Sequence, residues 1–128
     1  MANIIKLVDH DHLGACLDVA NSICAGEWPD ETIDCLADHT INLHIKDYHF
    51  KLDPYGVGFC IEGAPMGDGL TNIQSLLSKF IDKEISVLYE HWLPWPGNFE
   101  DARKNEDKWT AEGAAYLKSM TSEIIQNQ

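Results

Sequence analysis

The sequence predicts an α/β protein with about three parallel strands and flanking helices, in the order α-β-α-β-α-β-α. Short runs with strand-like alternation recur at residues 13–19, 40–46 and 85–91. Helical apolar stripes lie before, between and after them. The connections are far longer than hairpin turns, so successive strands are expected to run parallel.

Ile4, Ile5 and Val8 form one stripe, so residues 2–8 read as a helix. Residues 21–28 read as a loop, and Pro29 suits the first turn of a helix over 31–37. After the second strand, the Gly- and Pro-bearing stretch 48–69 reads as a long loop. Thr71, with Gln74 three residues on, suits a capping box for a helix whose buried stripe is Ile73, Leu76, Leu77 and Phe80. Residues 93–98 read as loop. The last helix is expected over 100–125, with Trp109, Tyr116, Leu117, Met120 and Ile124 on its apolar face. With no internal repeat, the 128 residues are expected to form one domain.

Hydrophobic residues make up 45% of the chain, which suits a folded, water-soluble protein. The formal net charge of -12 opposes a nucleic-acid partner and favours a divalent cation. No segment reaches the roughly 18 apolar residues of a membrane span. The first residues lack the basic and apolar regions of a signal peptide. Cys16, Cys24, Cys35 and Cys60 show no CxxC spacing and read as reduced thiols of a cytoplasmic protein.

Alternation along the strands divides their side chains. Leu13, Leu17 and Val19 oppose Gly14, Cys16 and Asp18. Ile41, Leu43 and Ile45 oppose Asn42, His44 and Lys46. Ile85, Val87 and Tyr89 oppose Ser86, Leu88 and Glu90. Each strand has one aliphatic face and a second face that becomes polar or charged near its C-terminal end. A doubly wound sheet needs two apolar faces. A barrel has helices outside and its site at the C-terminal mouth. The pattern therefore predicts part of a (β/α) barrel.

Asp18, His44 and Glu90 offer carboxylate and imidazole ligands suited to Mn²⁺, Mg²⁺, Co²⁺ or Zn²⁺. Such an ion polarises a carbonyl, and a nearby carboxylate moves a proton at the adjacent carbon. Glu90 is the candidate base. Lys46 is either a stabiliser of an enediolate, with a role in holding a substrate hydroxyl, or a solvated rim lysine. Trp92 and Trp95 either stack on a sugar ring or form the wall of their loop. Gly67 and Gly69 offer backbone amides to a sugar or phosphate, and Asp68 is a turn candidate. Asp9, His10, Asp11, His12 and His39 fall in turns at the opposite end, and His91 points away from Glu90.

The segments LGACLDVANS, INLHIKDYHF, PMGDG and VLYEHW, in that order, resemble the later strands of the xylose isomerase-like TIM-barrel family. The HxKD run His44-Ile45-Lys46-Asp47 and the PxGxG loop Pro65-Met66-Gly67-Asp68-Gly69 are its more specific elements. The family includes sugar-phosphate isomerases and epimerases, ketose 3-epimerases, hydroxypyruvate isomerase and inosose dehydratase. The resemblance implies that Asp18, His44 and Glu90 hold a divalent metal, and that Glu90 is one of two glutamates handling substrate protons. A substrate-binding His of many epimerases falls at Asn21, which can still bind a hydroxyl. An Arg found in some members after the metal His is absent around Phe50. DNA-cleaving members of the wider fold need more His and carboxylate ligands than this chain provides.

The implied activity is metal-dependent isomerisation or epimerisation of a sugar or sugar-phosphate. An inosose dehydratase-like lyase and a catalytically inactive remnant are the alternatives. The family's other catalytic glutamate lies on earlier strands, and Glu27, Glu31 and Glu62 are expected on loops or helix starts. A homodimer or a complementary half-barrel chain is the expected partner.

Overall fold

Parallel pairing joins the three segments expected to be strands, and the order in the sheet is β1 (Ala15–Asp18), β2 (Thr40–Ile45), β5 (Ser86–Tyr89). The structure, a computed structural model, describes residues 1–127. Helix α1 (Ala2–Val8) precedes β1. A short helix α2 (Asn21–Cys24) and then α3 (Pro29–Leu36) carry the chain from β1 back to β2. Helix α4 (Ile73–Phe80) leads into β5, and α5 (Phe99–Gln126) follows it.

The main departure from the sequence reading lies between β2 and α4. Residues 48–69 are not a long loop. Strands β3 (Asp47–Leu52) and β4 (Phe59–Ala64) form an antiparallel hairpin in register Asp47↔Ala64 to Leu52↔Phe59. Tyr48, Phe50 and Leu52 alternate with His49 and Lys51, the period of a strand. Gly56 and Gly58 take the positive φ that the connection requires. Glu62, expected on a loop, sits on β4. Two smaller readings also change. Residues 21–24 are helical, and the cap of α4 is Asn72, whose side chain accepts from the Ser75 amide. Thr71 is released from capping and serves elsewhere.

The core lies on the outer face of the sheet. Leu17, Val19, Leu43 and Ile45 are buried there against Ile33 of α3, Ile73, Leu76, Leu77 and Phe80 of α4, and Ile124 of α5. Burying each such aliphatic side chain contributes about 1.5–3 kcal/mol. Tyr116, Leu117 and Met120 of α5 pack on this cluster as their spacing predicts. The cover thins at β5, where Val87 is 53% exposed. In α1 only Ile5 of the expected stripe is buried, while Ile4 and Val8 are exposed. Tyr89 fills the space beneath Gly113, where a Cβ would lie 2.4 Å from its ring. Its hydroxyl donates to the Trp109 carbonyl, and burial pushes its pKa up.

The opposite face carries Cys16, Asn42, Ser86 and Leu88. Cys16 Sγ donates to Asn42 Oδ1, and Asn42 Nδ2 donates to Ser86 Oγ, a polar row across the sheet. All four cysteines are free thiols. Among the described residues no helix is long and apolar enough to cross a membrane.

Candidate metal centre

Sheet register brings the candidate ligands together. Asp18, the last residue of β1, pairs with His44 of β2. Ile45 pairs with Tyr89, so the next step along both chains places Lys46 beside Glu90. The Glu90 amide donates to the Ile45 carbonyl at 2.9 Å, extending the β2–β5 ladder past the strand end. The four side chains therefore form two layers at the C-terminal end of the sheet, Asp18 with His44 and Lys46 with Glu90.

Each member is tied down. Asp18 Oδ1 accepts from the amides of Ala20 and Asn21, both at 3.0 Å, which fixes the carboxylate and turns Oδ2 toward the cluster. Lys46 Nζ lies 2.8 Å from Asp18 Oδ2 and 2.8 Å from Glu90 Oε1. His44 Nδ1 lies 3.0 Å from Glu90 Oε2 and 4.0 Å from Asp18 Oδ2. The Lys46 ammonium, donating to Glu90, holds that carboxyl below the usual carboxylate range, against the opposing effect of burial. Lys46 is 1% exposed, so the solvated-rim alternative is wrong. A lysine is buried only where its charge is paired, and here two carboxylates pair it. The Trp92 ring lies 4.4 Å from Nζ, a cation–π contact on a third side.

The donor set fits a divalent cation. One ligand atom each from Asp18, His44 and Glu90 lies within 4.8 Å of the others. Carboxylate oxygens and an imidazole nitrogen without thiolate match Mg²⁺, Mn²⁺, Co²⁺ or Zn²⁺. With Nδ1 donating to Glu90 the ring carries its proton there. Ligation through the same atom takes the other tautomer, with the proton on Nε2. Glu27, Glu31 and Glu62 do not join this group among the described residues. Glu62 instead pairs with Lys51 at 2.7 Å.

The remaining candidates separate. Asn21 is exposed beside Asp18 and contributes its backbone amide there. Trp95 is exposed and packs edge-on against Phe99. His91 bonds Thr110 Oγ1 at 3.2 Å and packs on Tyr89 and Trp109. Asp9, His10, Asp11 and His12 are exposed in their turn. The amide of Asp68 closes a turn onto the Pro65 carbonyl. The Gly67 and Gly69 amides are not open to a phosphate, because both donate to Asp47 Oδ2, at 3.0 and 2.9 Å. In the sequence Asp47 stands out only as the last letter of the HxKD run. Its carboxylate is the centre around which the 65–71 loop folds.

The chain is similar to known proteins. A 3-oxo-isoapionate decarboxylase from Pectobacterium atrosepticum is 37% identical over 116 residues, which are 89% of this chain and 42% of that protein. The chain thus spans about two fifths of the curated relative it matches. A xylose isomerase-like TIM-barrel protein from Mycobacterium smegmatis, solved in complex with magnesium, superposes with a TM-score of 0.70 at 20% identity. The match covers 95% of this chain and 38% of that one. A xylose isomerase domain protein from Planctomyces limnophilus gives a TM-score of 0.72 at 18% identity, over 97% of this chain and 43% of that one. Those two likenesses show the fold. The sequence of residues 1–120 matches the xylose isomerase-like TIM-barrel family, and the chain belongs to that family.

Proposed function

We propose that this chain supplies the cation-holding part of an active site for enolate chemistry, and that its reaction is the decarboxylation of a small polyhydroxylated 3-oxo acid. The carrying observation is Lys46, a buried ammonium 2.8 Å from carboxylates of both Asp18 and Glu90. In a 3-oxo acid the bond from carbon to the carboxylate breaks and CO₂ leaves. The electron pair moves into the neighbouring carbonyl, and the resulting enolate takes up a proton at carbon. That reaction needs positive charge at the oxo oxygen and a proton donor, but no strong base.

A divalent cation, when bound by Asp18, His44 and Glu90, supplies Lewis-acid charge beside the substrate oxygens. Lys46, its ammonium held between Asp18 and Glu90, adds fixed positive charge beside the developing enolate oxygen. Trp92 closes one side of the ammonium and excludes water. Asn21, at the rim, offers its side chain to a substrate hydroxyl. Lys46, donating to Glu90, holds that carboxyl below the usual carboxylate range, which makes it a poorer base for the proton abstraction of an isomerase. The decarboxylase relative supports the same choice. The loop amides bonded to Asp47 favour an unphosphorylated substrate over a sugar-phosphate. Completion of the site by further βα units, from a second copy or a complementary chain, belongs to this proposal. Strands β1 and β5 are both edges of the described sheet.

The test has two parts. Calorimetric titration of the chain with Mn²⁺ is expected to show one site, lost in Asp18→Ala and His44→Ala. With Mn²⁺ in D₂O, a 3-oxo aldonic acid is expected to release CO₂ and gain deuterium at the carbon that lost it. Deuterium exchange with the carboxylate retained would replace decarboxylation by isomerisation. Absence of Mn²⁺ binding would sink the proposal.

A further inference from the structure

We infer that Asp47 and Thr71 are positioning residues for the Lys46 ammonium, a role that draws on the proposed function only in taking Lys46 as the acting group. Lys46 occupies a break in the backbone. Strand β2 ends at Ile45 and β3 begins at Asp47, so Lys46 is the residue at which the chain leaves the parallel sheet for the hairpin. Such a pivot is free to swing unless something outside the ladders holds it, and its side chain must reach two carboxylates at once.

Thr71 holds it. The Thr71 hydroxyl donates to the Lys46 carbonyl at 2.9 Å, while the Thr71 amide donates to Asp47 Oδ1 at 2.9 Å. One residue thus bonds both members of the Lys46-Asp47 pair. Asp47 in turn fixes Thr71. It is 1% exposed and accepts four amides, from Tyr48 and Thr71 on Oδ1 and from Gly67 and Gly69 on Oδ2. An ionised carboxylate has about four acceptor sites, so this one is saturated by backbone donors alone. The loop wraps it closely enough that a Cβ on Gly69 would lie 2.2 Å from Oδ1. The hydroxyl that pins the pivot is therefore built into a rigid knot, not a mobile loop.

A purely structural clamp would keep the hairpin and α4 in place without affecting where the ammonium points. Heteronuclear NMR of the chain carrying [¹⁵N]lysine separates the two roles. A buried, doubly ion-paired ammonium exchanges its protons slowly, and its signal is assigned by its loss in Lys46→Met. Thr71→Val keeps the side-chain shape and removes the hydroxyl. It is expected to speed Lys46 ammonium exchange about five- to tenfold, the weight of one hydrogen bond. Thr71→Ser is expected to restore the slow signal. Asp47→Asn, which turns an NH₂ group toward two of the amides, is expected to have at least the effect of Thr71→Val. An unchanged Lys46 signal in Thr71→Val, or a wild-type chain with no slow lysine ammonium, overturns the inference. The readout uses neither metal nor substrate, so it stands or falls apart from the proposed reaction.

Discussion

The two faces of the parallel sheet are built for different ends. Leu43 on the outer face is 0% exposed beneath the helices, whereas Leu88, on the inner face of the neighbouring strand, is 48% exposed. The outer face is held by apolar burial. The inner face runs through a polar row of Cys16, Asn42 and Ser86 and ends in the charged cluster at the C-terminal end. There the groups neutralise one another, Lys46 standing between Asp18 and Glu90. Apolar burial dominates one side of three short strands and charge the other, where the opposite charges lie in contact.

The largest effect should come from the outer face. Leu43→Ala removes a fully buried side chain from the centre of the cluster and is expected to cost about 3–4 kcal/mol. Urea unfolding followed by circular dichroism measures it. A loss under about 1 kcal/mol would mean that the helices do not pack on the sheet as described.

The charged end of the inner face comes next. Lys46→Met leaves two carboxylates facing each other with their cation gone. A loss of about 2–4 kcal/mol is expected in EDTA, at the lower end because Glu90 is partly open to water. Mn²⁺ should restore most of that loss, since a cation at the same carboxylates replaces the ammonium. A variant as stable as wild type in EDTA would show that the ion pairs contribute nothing. A variant that Mn²⁺ fails to rescue would separate the Lys46 site from the metal site.

How far this division was legible in the sequence depends on the distance over which each feature is encoded. The apolar stripes of α4 and the aliphatic faces of the strands are local patterns, and they were readable. So was the convergence of Asp18, His44 and Glu90, because a charge at the end of each strand's inner face points to a shared mouth. The hairpin is hard to read although Tyr48 to Leu52 alternate, because Pro54 and the five glycines from residue 56 to residue 69 weigh toward loop. The burial of Lys46 was out of reach, since it depends on two carboxylates from other strands. Asp47 was further out of reach. Its three distant donors lie 20 to 24 residues away, and nothing in their spacing marks them as partners until the hairpin folds.

The smallest effect sharpens the comparison most. Leu88→Ala removes the same atoms as Leu43→Ala from the adjoining strand of the same sheet. With about half its surface already in water, the leucine forfeits little burial, and the expected cost is below about 1 kcal/mol. The ratio of the two costs measures how open the inner face is in solution. Unfolding at two protein concentrations extends the measurement. If a second copy covers the inner face, Leu88→Ala should approach the cost of Leu43→Ala and the midpoint should rise with concentration. A small, concentration-independent cost would leave the face open and would favour the proposed complementary set of strands over a second copy.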